Sequence, residues 1–167
     1  IGALGEVMGI DEHYQYAFAK AQIAAGNPIA DKGSVFISVR DEDKPRVVGL
    51  VKELSALGFE LVATEGTAHY LAKHGIGSEV VRKMIEGEPN IGNLIAAGKI
   101  DMVINSTSDK QAIIDSYSLR RLTLERKVPY FTTIPAFEMI VSYLKQRSSR
   151  SFQKLSTKSL QEYGQHF

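Results

Sequence analysis

Apolar positions recur along the chain in two alternating rhythms, one of helical and one of strand period. Tyr14, Ala17, Phe18, Ala21 and Ala25 stand at helical spacing until Gly26-Asn27-Pro28 interrupts them, which predicts a connecting helix after a glycine-rich start at residues 1–9. Residues 33–39 form a β-rich run. A polar turn over 40–45 ends in Pro45, suited to the first turn of a helix, and Val47, Leu50, Val51, Leu54 and Leu57 form the apolar stripe of that helix, closed by Gly58. Residues 59–63 read as a short buried strand, 68–72 as a helix ending near His74-Gly75, 80–84 as a short strand and 90–97 as a short helix closed by Gly98. The cleanest strand signal lies at 100–105, which ends at Asn105. Two helical pieces follow, the second through Leu119, Leu122, Thr123 and Arg126; 128–133 is a last strand with Pro129 near its start, and 137–144 a last core helix. From Gln146 the sequence turns to serine and basic residues, and Leu155, Leu160 and Tyr163 are too sparse to build a core.

Strands alternating with helices of about ten residues predict right-handed βαβ units and a three-layer α/β sandwich, its sheet mostly parallel and of about five strands. Ligands of such sheets bind beyond the carboxyl ends of the strands. The informative loops are therefore 40–44, 64–67, 105–109 and 132–135. Of these, Thr64-Glu65-Gly66-Thr67 joins a strand to a helix. Gly66 allows close backbone approach, the threonines supply hydroxyls, and the N–H groups of the first helical turn favour phosphate. Glu65 is expected to face solvent or a sugar, because a carboxylate beside phosphate repels it.

The same edge gathers Lys44, Thr64, Gly66, Thr67, Asn105, Ser106, Thr107 and Ser108, with Lys83 as a further cation. Many donors and few acids around a helix N-terminus suit a phosphomonoester. Any one threonine is explained as well by helix capping; hydroxyl clusters at two separate strand ends exceed what capping needs. The histidines His13, His69, His74 and His166 lie outside these loops, and His69 and His74, five apart, do not form a metal pair. Asp41, Glu42 and Asp43 read as a solvated acidic loop, and Walker and dinucleotide fingerprints are absent. No metal site is expected.

A length of 167 residues allows one domain with a tail or two. Hydrophobic residues at 44%, charged residues at 23% and a net charge of +1 give no reason to expect nucleic acid or an anionic membrane as partner, so the basic site is local. With no cysteine, disulfides and thiolate chemistry are excluded. The chain carries neither an apolar run of membrane-spanning length nor a secretory start, and a cytoplasmic location is expected.

Ser38-Val39-Arg40 with Asp43-Lys44, Gly58-Phe59-Glu60-Leu61 with Ala63-Thr64-Glu65-Gly66-Thr67, Lys83 with Glu86-Gly87, Ile104-Asn105-Ser106-Thr107-Ser108 and Arg120-Arg121 resemble, in order, the C-terminal allosteric domain of the carbamoyl phosphate synthetase large subunit. That domain is called methylglyoxal-synthase-like and has a Rossmann-like parallel sheet. Gly5-Glu6-Val7-Met8-Gly9 resembles the end of the second ATP-grasp half, so the chain looks like a piece of a longer protein. The resemblance divides it into residues 1–30 (end of the ATP-grasp domain and connecting helix), 31–146 (regulatory domain) and 147–167 (C-terminal tail).

The resemblance implies a regulatory, non-catalytic fragment of an ATP-dependent ligase, binding the effector UMP or IMP and tuning carbamoyl phosphate synthesis for pyrimidine and arginine biosynthesis. Carried over by position, the effector contacts are Lys44, Thr64, Gly66, Thr67, Lys83, Asn105 and Thr107, with Ser106 replacing the threonine common in enteric members. The implied partners are the synthetase domains of the same chain, a glutaminase small subunit and other copies of this domain; ATP, magnesium and potassium belong to the synthetase domains, and the fragment itself needs no cofactor. The Tyr-Asp-Thr segment used for ornithine in enteric members is matched by Tyr130, Phe131 and Thr132, a second effector or interface segment that has lost its carboxylate. Methylglyoxal synthase, a lyase acting on dihydroxyacetone phosphate, is the enzymatic alternative. Its Gly-Gly-Asp is matched by Glu88-Pro89-Asn90-Ile91, its Trp-Asp-Pro by Ser106-Thr107-Ser108, and its histidine has no counterpart around Ile113-Ile114-Asp115. A third alternative is an oligomerisation or docking module whose ligand site has decayed.

Overall fold

A computed structural model describes residues 14–26 and 28–149. The expected ATP-grasp end at residues 5–9 and most of the C-terminal tail lie outside the described residues.

The stripe at Tyr14 onward forms helix α1 (Tyr14–Ala24), and the β-rich run after it forms strand β1 (Ser34–Ser38). A 3₁₀ turn at Asp41–Asp43 leads into α2 (Lys44–Ala56), where Pro45 occupies the first turn and needs no N–H partner. Val47, Val51 and Leu54 of the predicted stripe are fully buried. Then come β2 (Glu60–Ala63), α3 (Glu65–Lys73), β3 (Glu79–Val80), a 3₁₀ turn at Met84–Glu86, α4 (Ile91–Ala96), β4 (Met102–Asn105), α5 (Lys110–Asp115), α6 (Tyr117–Glu125), β5 (Tyr130–Phe131) and α7 (Ile134–Ser149).

The five strands form one sheet in the order β3-β2-β1-β4-β5, every pair parallel. Alternation along the strands sorts side chains to two faces. Val35, Ile37, Leu61, Ala63, Met102 and Ile104 join one core with residues of α1, α2, α3 and α7, whereas Phe36, Val62 and Val103 join a second with Ile91, Ile95 and Leu119 from α4 and α6. Helices therefore cover both faces. The chain winds from β1 outward to β3, then returns past β1 to β4, so β1 and β4 flank the point where the winding reverses.

Three elements differ from the sequence pattern. The strand expected at 80–84 is the two-residue edge strand Glu79–Val80: after Val81 donates to the Ala63 carbonyl the chain leaves the sheet, and Arg82 accepts from Ile91 instead. Lys83 thus stands on a loop. The strand expected at 128–133 pairs only at Tyr130 and Phe131. The last helix begins at Ile134, three residues before its predicted start, and continues to Ser149; Pro135, in its first turn, is tolerated there.

Candidate functional site

Beyond the carboxyl ends of β1 and β4 lies a cavity of about 160 Å³. Phe36, Met84, Ile91 and Leu119 give it an apolar side, and Ser38, Asn105, Ser106, Thr107, Asp115 and Ser116 a polar one, with Lys83 at its wall. The void matches one benzene-sized ring, and it sits where the winding of the sheet reverses, the usual ligand position in such folds.

Its frame is hydrogen-bonded across the strand gap. The Ser106 N–H donates to the Ser38 carbonyl at 3.0 Å, and the Arg40 N–H donates to Ser106 Oγ at 3.1 Å. Asp43, 4% exposed, accepts from Arg40 Nε at 2.8 Å. Burial pushes its carboxyl pKa up, but hydrogen bonds from Arg40 and Ser106 and the charges of Arg40 and Arg46 outweigh this and hold it below the usual carboxylate range. The acidic loop is thus solvated only in part, because Asp43 is turned inward as a strut between the β1 and β4 loops. Asn105 Nδ2 donates to Ser116 Oγ at 3.0 Å and to Tyr130 Oη at 2.7 Å. Both amide hydrogens are committed, which leaves the side-chain carbonyl oxygen as the hydrogen-bonding atom of Asn105 without a committed proton.

The threonine turn adjoins this cavity without lining it. Thr64 stands at the N-cap of α3 yet makes no side-chain capping bond; its hydroxyl lies 3.2 Å from Ser38 Oγ and 3.5 Å from Thr67 Oγ1. Thr67 Oγ1 accepts from the Val39 N–H at 3.3 Å. Both threonines are buried, and Glu65 and Gly66 beside them are exposed. Lys44 reaches over the turn, since a Cβ built on Gly66 would lie 3.5 Å from its Nζ. That ammonium donates to Asp41 Oδ1 at 2.6 Å, and this hydrogen bond, with the lysine charge, lowers the Asp41 pKa.

The nominated residues thus form two adjoining groups. Lys83, Asn105, Ser106 and Thr107 line the cavity; Lys44, Thr64, Gly66 and Thr67 form the open turn; Ser38 and Val39 connect them. Thr132 is exposed at the end of β5 and Tyr130 is half-buried, but the Phe131 side chain is 3% exposed within the core, its ring centroid 6.0 Å from that of Phe18 on α1. As placed, Phe131 meets the connecting helix and offers nothing to a ligand. Asp115 and Ser116, where α5 meets α6, line the cavity and were not nominated. Their signal was topological: the helices after β4 return over the β1 end, which apolar periodicity does not encode. Among the described residues no group of three or more His, Asp or Glu side chains could hold a metal ion, and no helix is long and apolar enough to cross a membrane.

The fold and site define a doubly wound α/β domain with a cavity, apolar on one side and polar on the other, at its winding reversal. Residues 46–132 match the family model of the MGS-like domain, and the chain belongs to that family. It is 50% identical over 159 residues to the carbamoyl phosphate synthase large chain of Myxococcus xanthus, covering 95% of this chain and 14% of that protein. It is 51% identical over 140 residues to the C-terminal section of the large chain from Methanopyrus kandleri, covering 83% of this chain and 26% of the relative. The chain therefore spans a minor part of the relatives it matches. Among solved structures it resembles methylglyoxal synthase from Elizabethkingia anophelis, with a TM-score of 0.56 and 20% identity over 68% of this chain and 80% of that one, a likeness of fold.

Proposed function

We propose that this chain is a regulatory domain that senses a nucleoside monophosphate, UMP or IMP, and tunes the output of a carbamoyl phosphate synthase for pyrimidine and arginine production. The synthetase domains of the same large chain receive the signal, with a glutaminase subunit as their partner. The observation that carries this reading is the pairing of a ring-sized cavity, apolar on one side, with an adjoining threonine turn under a lysine. A nucleoside monophosphate has those two parts. Its phosphate fits over the N–H groups of the first turn of α3, beside Lys44, Thr64 and Thr67, with Lys83 at the wall of the adjoining cavity. Its base fits against Phe36, Met84, Ile91 and Leu119, while the Asn105 carbonyl and the Asp115 carboxylate accept from ligand N–H or hydroxyl groups. Regulation further requires that the effector bind two conformations unequally, and α1, packed on α7, connects this domain to the sequence before it.

Calorimetric titration of the chain with UMP and IMP tests the reading. Saturable uptake is expected, weakened about tenfold or more by Lys83→Ala or Thr67→Val, since each removes a charge-assisted contact. No uptake of any pyrimidine or purine monophosphate overturns it. Asp115 also gives the lyase alternative a carboxylate at the cavity wall. Incubation with dihydroxyacetone phosphate separates the two, because methylglyoxal release above background favours the lyase.

A further inference from the structure

Lys44, the cation over the threonine turn, already has an anion. Its Nζ donates to Asp41 Oδ1 at 2.6 Å, with the lysine side chain 15% exposed and the aspartate side chain 91% exposed. The lysine is packed between the N-termini of α2 and α3, whereas the acid reaches it from solvent. The neighbouring acids are held elsewhere: Asp43 by Arg40 Nε at 2.8 Å, with Glu42 at 3.9 Å from the same nitrogen. Asp41 is therefore the carboxylate of that loop that contends for Lys44.

An oxyanion settling over residues 64–67 and the Asp41 carboxylate are like charges seeking one ammonium. If both remain they repel at short range; if one leaves, the exposed aspartate returns to water at small cost, because exposed ion pairs are weak. We infer that Asp41 is an internal competitor for the phosphate site, occupying Lys44 while the turn is empty and displaced from it when a nucleoside monophosphate binds. This rests on the nucleotide reading above and adds a residue that sets its affinity: Asp41 weakens effector binding, so the domain responds at a higher effector concentration than the bare turn would.

The test is calorimetric titration of the full chain, in wild-type form and as Asp41→Asn, Asp41→Glu and Glu42→Gln, with UMP and separately with inorganic phosphate. Asp41→Asn is expected to bind both about two- to fivefold more tightly, the scale of one exposed ion pair. Asp41→Glu should keep the wild-type affinity and Glu42→Gln should stay near it. In a Lys44→Met background, Asp41→Asn should give no gain. If wild type binds UMP but Asp41→Asn binds no tighter, or Glu42→Gln gains as much, the competitor is overturned while the nucleotide reading stands. If wild type binds neither probe, uptake gained by Asp41→Asn supports the competitor, and silence in every variant overturns both.

Discussion

The Asn105 side chain donates to the Tyr130 hydroxyl at 2.7 Å, tying the end of β4 to β5 behind the cavity. Burial raises the Tyr130 pKa, opposed by the Asn105 hydrogen bond and the Arg120 guanidinium, which stands 5.9 Å from the ring centroid. A raised tyrosine pKa means that the unfolded chain loses this proton first. Its contribution to stability is therefore complete below about pH 10, the unperturbed value, and is lost as pH rises through the folded value.

Tyr130→Phe removes this acceptor and releases the Asn105 amide to turn toward the cavity. Urea denaturation should show a loss of about 1 kcal/mol. The alkaline fall in stability should shrink in the variant, and UMP binding should weaken because Asn105 no longer presents its carbonyl in one orientation.

Asp43→Asn tests the strut between the β1 and β4 loops. The neutral amide keeps the shape of the side chain but weakens its bonds with Arg40 and Ser106, costing about 2 kcal/mol in urea denaturation. The sign of the pH dependence follows from the lowered pKa: the stabilisation is present above about pH 3.9, the unfolded value, and is lost as pH falls through the folded value. Wild type should thus lose stability more steeply than the variant on acidification below that value.

How much of this was legible beforehand varied with what each feature depends on. Val47, Val51 and Leu54 were readable because a buried helix face imposes its period on the chain, and β4 because it is buried throughout. The edge strand β3 was misplaced because both its residues are exposed and carry no burial pattern. The hydroxyls of Thr64 and Thr67 could be nominated, but capping and ligand binding ask for the same residue types, and only the geometry shows that Thr64 makes no side-chain cap. Asp43 looked like one of three solvated acids, since inward rotation of one residue in a 3₁₀ turn leaves no trace in composition. Asp115 depends on strand order and was invisible for that reason.

Gly66→Ala separates stability from binding. An added Cβ meets only Lys44 Nζ within 4 Å, at an ordinary contact distance of 3.5 Å, and the backbone there is helical. Alanine should therefore fit and stabilise the helix start by about 0.5 kcal/mol. The methyl nevertheless adds bulk 3.5 Å from the ammonium, at the turn where the phosphate is proposed to sit. Thermal unfolding should move slightly upward while calorimetric UMP affinity falls about tenfold or more; unchanged affinity would place the phosphate elsewhere.

Phe131→Asp asks whether restoring the carboxylate of the enteric ornithine segment restores an effector site. The Phe131 ring lies in the core beside Phe18 and not at a surface, so the new carboxylate would replace an aromatic contact with α1 by a buried charge. Removing the ring and burying an unpaired acid should cost about 3–5 kcal/mol, read as a lower urea midpoint. Ornithine should add no stability to the variant, because the acid faces the helix packing and not an open site. If ornithine raises the urea midpoint of Phe131→Asp but not of wild type, then β5 can turn this residue outward, and the contact with Phe18 is one of two packings of this helix.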